Sequence, residues 1–110
     1  MAELSKETEH KIAQLQLYEQ SLQNILVQKQ QFQSQQVELD SALRELGATD
    51  KAYKIIGNIM VASDKEELKK DLESKKEAVA IRIRTFEKQE DQIRERAKRI
   101  QEEVSKKIKG

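Results

Sequence analysis

Apolar residues recur in this chain at alternating spacings of four and three over two long stretches, and that period restricts the fold more than any other feature. Along the first stretch the series runs 4, 8, 11, 15, 18, 22, 25, 29, 32, 36, 39, 43, 46. Nine of its thirteen positions are apolar or aromatic: Leu4, Leu15, Tyr18, Leu22, Ile25, Phe32, Leu39, Leu43 and Leu46. The second series runs 72, 76, 79, 83, 86, 90, 93, 97, 100, 104. Eight of its ten positions are apolar: Leu72, Val79, Ile83, Phe86, Ile93, Ala97, Ile100 and Val104. Seams sustained over so many heptads argue for paired helices of the coiled-coil kind rather than the broad apolar face of a globular helix. The exceptions are Thr8, Lys11, Lys29 and Gln36 on the first arm and Lys76 and Glu90 on the second. Polar seam residues cost stability but can fix register and partner choice.

The composition agrees. Apolar content is 36%, aromatic content 4% and charged content 37%, too lean a mixture for a compact core but adequate for a narrow seam. There is no Pro, and the glycines are Gly47, Gly57 and Gly110, so helix breakers gather near the middle and at the end. Ten Gln lie between Gln14 and Gln36. Gln is a good helix former, and the regular seam favours helix over a disordered Gln tract. The absence of Cys removes a disulfide framework and thiolate metal ligands. No apolar run is long enough to span a membrane, and Met1–Glu7 is too polar for a signal peptide. These features lead us to expect a cytoplasmic protein with no membrane partner.

Between the arms lies Ala52-Tyr53-Lys54-Ile55-Ile56-Gly57-Asn58-Ile59-Met60-Val61-Ala62, apolar except at Lys54, Gly57 and Asn58. Gly-Asn between two partly β-branched runs predicts a hairpin, with strands near 51–56 and 59–62. Alternation puts Tyr53 and Ile55 on one face and Ile56 on the other, and separates Ile59 and Val61 from Met60. Strands apolar on both faces are normally covered on both sides, and a lone hairpin has open edges. The hairpin is therefore expected to be an assembly device.

Gly47 stands where a C-cap glycine ends the first helix. Ser63 with Glu66 predicts a capping box that opens the second, supported by acidic residues at its start. The expected layout is a single unit, 1–110: helix 1–47, hairpin 51–62 and helix 63–110. The arms are about 43 and 45 residues, or roughly 65 Å each. Equal heptad arms on either side of a reversing hairpin predict an antiparallel two-helix coiled coil with the chain termini together at its tip. If Leu46 faces Leu72, then Phe32 lies near Phe86 and Lys29 near Glu90.

Charge is uneven along the chain. Residues 1–46 carry four basic and seven acidic side chains, and residues 64–110 carry fifteen basic and twelve acidic, so the arms are weakly complementary. The basic groups of the second arm have acids at i,i+4 spacing: Glu66/Lys70, Asp71/Lys75, Glu90/Arg94, Glu95/Arg99, Glu102/Lys106 and Glu103/Lys107. That interleaving reads as a solvated helix face rather than a nucleic-acid surface.

Nothing in the chain suggests an enzyme. There is one His, His10, with no Gly-rich phosphate loop and no ligand cluster at metal spacing. No cofactor or metal is expected, because a two-helix coil offers no enclosed site. At the tip, however, Leu4, Ile12, Leu15, Leu17, Ile100, Val104 and Ile108 gather, some of them off the seam. Helix ends fray, so this cluster is a candidate surface for unspecific apolar binding.

A long Gln-rich heptad helix with Val27-Gln28-Lys29-Gln30, then Ala-Tyr-Lys-Ile-Ile-Gly-Asn-Ile-Met-Val, then Asp-Lys-Glu-Glu-Leu opening a second heptad helix, resembles the archaeal-type β class of prefoldin subunits over essentially the whole chain. A single hairpin matches the β class, since α-class subunits carry two. The resemblance implies an ATP-independent chaperone in which two α and four β subunits pool their hairpins into a β-barrel platform. Coiled-coil tips then hold unfolded chains, which pass to a group II chaperonin. Carried onto this sequence, the platform residues are Tyr53, Ile55, Ile56, Gly57, Ile59, Met60 and Val61, and the client-binding residues are the tip cluster. The competing reading from the residues is a structural coiled-coil scaffold or filament subunit that holds no client. A nucleic-acid-binding coil using the basic second arm is a third.

Overall fold

The computed structural model describes residues 5–109. Helix α1 (Lys6–Gly47) is followed by strands β1 (Ala52–Ile56) and β2 (Ile59–Ser63) and by helix α2 (Lys65–Lys109). The protein is therefore mainly α, two long helices joined by a two-stranded antiparallel hairpin. It divides into two compact units. One combines α1 up to Lys29 with α2 from Thr85 onward, and the other spans Gln30–Arg84.

In the first unit, Ser5 caps α1. Its Oγ accepts the Thr8 N–H at 3.1 Å, and its carbonyl accepts the Glu9 N–H at 3.0 Å. The two helical stretches run in opposite directions, since Lys11 meets Glu103 and Lys29 meets Glu90. The seam between them is closed by Thr8, Ile25, Phe86, Glu90 and Val104, all buried, with Lys11, Leu15, Tyr18, Leu22, Lys29, Ile93, Ala97 and Ile100 half-buried. Thus the polar exceptions at 8, 11, 29 and 90 do face the partner helix.

The second unit repeats this arrangement. Lys76 meets Asp40, and the Arg82 guanidinium lies 5.3 Å from the centre of the Phe32 ring. Leu46, Val79 and Ile83 are buried, and Leu46 and Leu72 line one shallow groove with Ala42, Ala52 and Leu68. The hairpin register pairs Ala52 with Ser63, Tyr53 with Ala62, Lys54 with Val61, Ile55 with Met60 and Ile56 with Ile59. Gly57 has φ +60° and is the only described residue with positive φ. A two-residue loop with positive φ at its first position alone is the type II′ turn, whose twist suits paired strands.

The first helix ends at Gly47 as expected, but its cap and the start of the second helix differ from the sequence expectation. Gly47 is the last helical residue, not a left-handed cap, and α1 closes with a tighter bond from the Ala48 N–H to the Glu45 carbonyl at 3.1 Å. Ser63 is taken up by the sheet as the partner of Ala52, so α2 starts later. Asp64 becomes its capping residue, its carbonyl accepting the Leu68 N–H at 2.9 Å. Glu67 now stands three positions after the cap, and Glu66 and Glu67 keep negative charge in the first turn.

Candidate functional site

Two regions, one in each unit, hold the residues singled out from the sequence. The first is the hairpin. Its register brings Tyr53, Ile55, Met60 and Ala62 to one face, and Ala52, Lys54, Ile56, Ile59, Val61 and Ser63 to the other. Ala52 is buried against the helices of its unit, and Lys54 reaches Asp71 at 4.0 Å. Every other large apolar side chain of the hairpin is exposed: Tyr53, Ile55, Ile56, Ile59, Met60 and Val61. Ile55 reaches 71% of its full exposure. Six such side chains on a ten-residue ladder, three on each face, go beyond the scattered apolar residues of an ordinary surface. Among the described residues the two strands also keep their outer edges unpaired.

The second region is formed by the opening turns of α1 and the closing turns of α2. Of the residues expected to act there, Leu17 and Ile108 are exposed. Ile12, Leu15 and Ile100 are half-buried, and Val104 is buried in the seam. Leu4 lies outside the described residues.

Charges dominate this second region. Lys11 occupies a seam position, and its ammonium sits 2.9 Å from Glu103 and 3.3 Å from Glu7. Lys107 adds a contact to Glu7 at 3.3 Å. Hydrogen bonds from Lys107 and then Lys11 hold the Glu7 carboxyl below the usual carboxylate range. Glu103, and after it Glu7, raises the Lys11 ammonium above the ordinary lysine value, while partial burial pulls the other way. Thr8, 2% exposed, satisfies its hydroxyl against Ser5 at 2.9 Å.

The sequence did not reveal this network. Of the i,i+4 pairs read from α2, Glu90–Arg94 and Glu95–Arg99 form, at 3.3 and 3.1 Å. Glu103 and Lys107 instead cross to α1, and Asp71 turns to Lys54. Seam-flanking side chains of this length reach the facing helix as readily as the next turn of their own. The signal that could have found the network was Lys11 itself, a cation in a seam that must lie near something negative. Lys29 and Glu90 show the same logic, with their side chains 2.5 Å apart in a largely buried pair.

Among the described residues no group of His, Cys, Asp and Glu is arranged to hold a metal ion. Among them also, no helix is long and apolar enough to cross a membrane. His10 is exposed on α1.

Comparison with known proteins gives one answer. The model of the prefoldin subunit family matches residues 9–110. The prefoldin subunit beta of Archaeoglobus fulgidus is 37% identical over 107 residues, covering 94% of this chain and 92% of that one. The prefoldin subunit beta of Sulfurisphaera tokodaii is 33% identical over 102 residues, covering 90% and 82%. The crystal structure of the prefoldin beta subunit from Thermococcus strain KS-1 superposes with a TM-score of 0.94 at 26% identity, covering 100% of this chain and 99% of that one.

Proposed function

This chain belongs to the prefoldin subunit family, a family of chaperone subunits, and from that premise we propose that it is the β-class component of a hetero-oligomer that holds unfolded polypeptide without ATP. The observation that carries the reading is the uncovered hairpin. Six large apolar side chains, three on each of its faces, stay exposed among the described residues. A two-stranded sheet of this kind is marginal alone and gains from each further strand and each covered face. Its partners, on this reading, are α-class subunits and other copies of the same chain, in an α2β4 hexamer within the cytoplasm.

The helices supply the working surface. Clients are unfolded proteins held at the opening turns of α1 and the closing turns of α2, with Leu4, Ile12, Leu15, Leu17, Ile100, Val104 and Ile108 as the contacting set. Several weak apolar sites in one assembly bind a single client by avidity, so none needs a deep pocket. Adaptable shallow contacts also suit unrelated clients. Release needs no nucleotide when a stronger acceptor competes, and that acceptor is a group II chaperonin.

Two measurements on the purified chain test this. The mass of the complex, alone and with an α-class subunit, is expected to rise to that of a hexamer only in the mixture. That mixture is expected to suppress aggregation of a denatured client with no ATP present. A hexamer that gives no protection marks the protein as a scaffold and ends the holdase reading.

A further inference from the structure

The apolar surface of the helix-end region is too small for the work proposed for it. As the helices stand, only Leu17 and Ile108 of the described cluster are exposed. Single exposed apolar side chains are ordinary on any surface and hold nothing by themselves. The residues able to form a strip are Leu15, Ile100 and Val104, and they lie in the seam, half-buried or buried. Holding a client therefore requires the seam to open there.

What closes the seam in this region is charge as well as packing: Thr8 and Val104 are buried, and ion pairs cross between the helices beside them. Farther along the same unit, buried Ile25 and Phe86 close it with apolar bulk. In the opening turns of α1, however, two successive seam positions are Thr8 and Lys11. Thr8 is satisfied by Ser5 on its own helix. Lys11 bonds Glu103 at 2.9 Å across the seam and Glu7 at 3.3 Å along α1, and Glu7 in turn bonds Lys107 at 3.3 Å. The four charges thus make two crossings between the helices. Ion pairs of this exposure are weak and screened by salt, which suits a contact that must open.

We infer that Glu7, Lys11, Glu103 and Lys107 form an electrostatic clasp that keeps the opening turns of α1 on the closing turns of α2, and that its release uncovers Leu15, Ile100 and Val104 as the strip that takes an extended apolar segment of a client. The inference rests on the holdase reading and adds its control: capture rises when the clasp is screened or broken.

The test uses the complete complex with its α-class partner, the mass of each assembly being checked first. Amide hydrogen exchange is followed in residues 8–15 and 97–104 at low and high salt, in parallel with suppression of aggregation of a denatured client. Glu103→Gln is expected to speed exchange in these turns roughly threefold at low salt, the size of one such pair, and to raise capture, with both differences gone at high salt. Lys11→Leu, which continues the apolar seam, is expected to slow exchange and lower capture. Unchanged exchange in Glu103→Gln overturns the clasp. Capture that stays level or rises in Lys11→Leu while exchange slows overturns the opening step. If the unaltered complex protects no client at any salt, the holdase reading fails, and the exchange rates still decide whether the clasp exists.

Discussion

Ile56 and Ile83 are the same side chain in opposite circumstances. Ile83 is 8% exposed in the helix seam of its unit, and Ile56, in the hairpin of that unit, is 60% exposed. The helices complete themselves, because each seam position finds its counterpart on the other helix of the same chain. The hairpin completes only one ladder, between its own strands, and leaves its faces and outer edges for something else. The helix-end region is intermediate, covered by its own chain but through charges that yield to salt. Covering strength thus differs by region, and under the function proposed above each level would match a different need: a permanent fold, an assembly surface and a contact that must come and go.

The largest effect that would sharpen this contrast lies in the hairpin. Ile59→Asp is expected to abolish association with an α-class subunit while leaving the helical circular dichroism of the lone chain unchanged. Covering one Ile contributes about 1.5–3 kcal/mol, and a carboxylate in its place adds a desolvation penalty, so a weakening of about 100-fold or more follows. Tyr53→Asp behaves alike. Normal assembly of either variant, measured by sedimentation or native mass, removes the hairpin from the interface.

Phe86→Ala probes the opposite case. A buried aromatic lost from the seam costs about 3 kcal/mol in a urea melt of the isolated chain. Ile55→Ala in the same melt is expected to cost under about 0.5 kcal/mol, because its side chain covers little in the lone chain. Equal losses would erase the distinction between a self-completed seam and an uncompleted sheet.

Next in size is the buried pair in the seam. Lys29→Glu sets a second carboxylate against Glu90, which is buried and otherwise bonded, at 3.3 Å, to the guanidinium of the exposed Arg94. The expected loss is about 2–3 kcal/mol, the low end for an uncompensated buried charge because Lys29 is only partly enclosed. Glu90→Lys in the same chain is expected to recover most of it. A double variant no better than the single one counts against this pairing of the helices.

How much of this was legible in the sequence follows from how local each signal is. The seam positions were readable because heptad spacing and helix geometry are the same fact, and even the polar exceptions at 11, 29, 76 and 90 face the other helix. Lys29 and Glu90 could be matched in advance, since each interrupts its own seam at the level where the other does. The hairpin register was readable from Gly57-Asn58. The start of α2 was not, because Ser63 serves a helix cap or a strand equally well by type, and pairing with Ala52 decides. The ion network was not either. Glu103 and Lys107 are an ordinary i,i+4 pair by spacing, and only the facing helix diverts them to Lys11 and Glu7. The opposite cover at Leu17 and Val104, by contrast, follows from register, since Val104 stands in its seam series and Leu17 lies outside its own.

The smallest expected effect bears on the intermediate region, through pH. The Glu7 carboxyl is held below its usual range by Lys107 and Lys11, so its contribution to pairing is complete above the ordinary carboxylate value and lost as pH falls through the depressed one. The Lys11 ammonium is raised, chiefly by Glu103, so its contribution is complete below the ordinary lysine value and lost as pH rises through the elevated one. Between these limits the helix ends are held together by the network. In an NMR titration, the Glu7 carboxyl is expected to have a midpoint below the ordinary carboxylate range, and Lys107→Gln is expected to bring it back most of the way. A Glu7 midpoint that ignores Lys107→Gln would mean that the ammonium is not held against the carboxylate in solution. Of the charges, only Lys11 and Glu103 would then cross between the helix ends, and the contrast with the seam at Phe86 would widen.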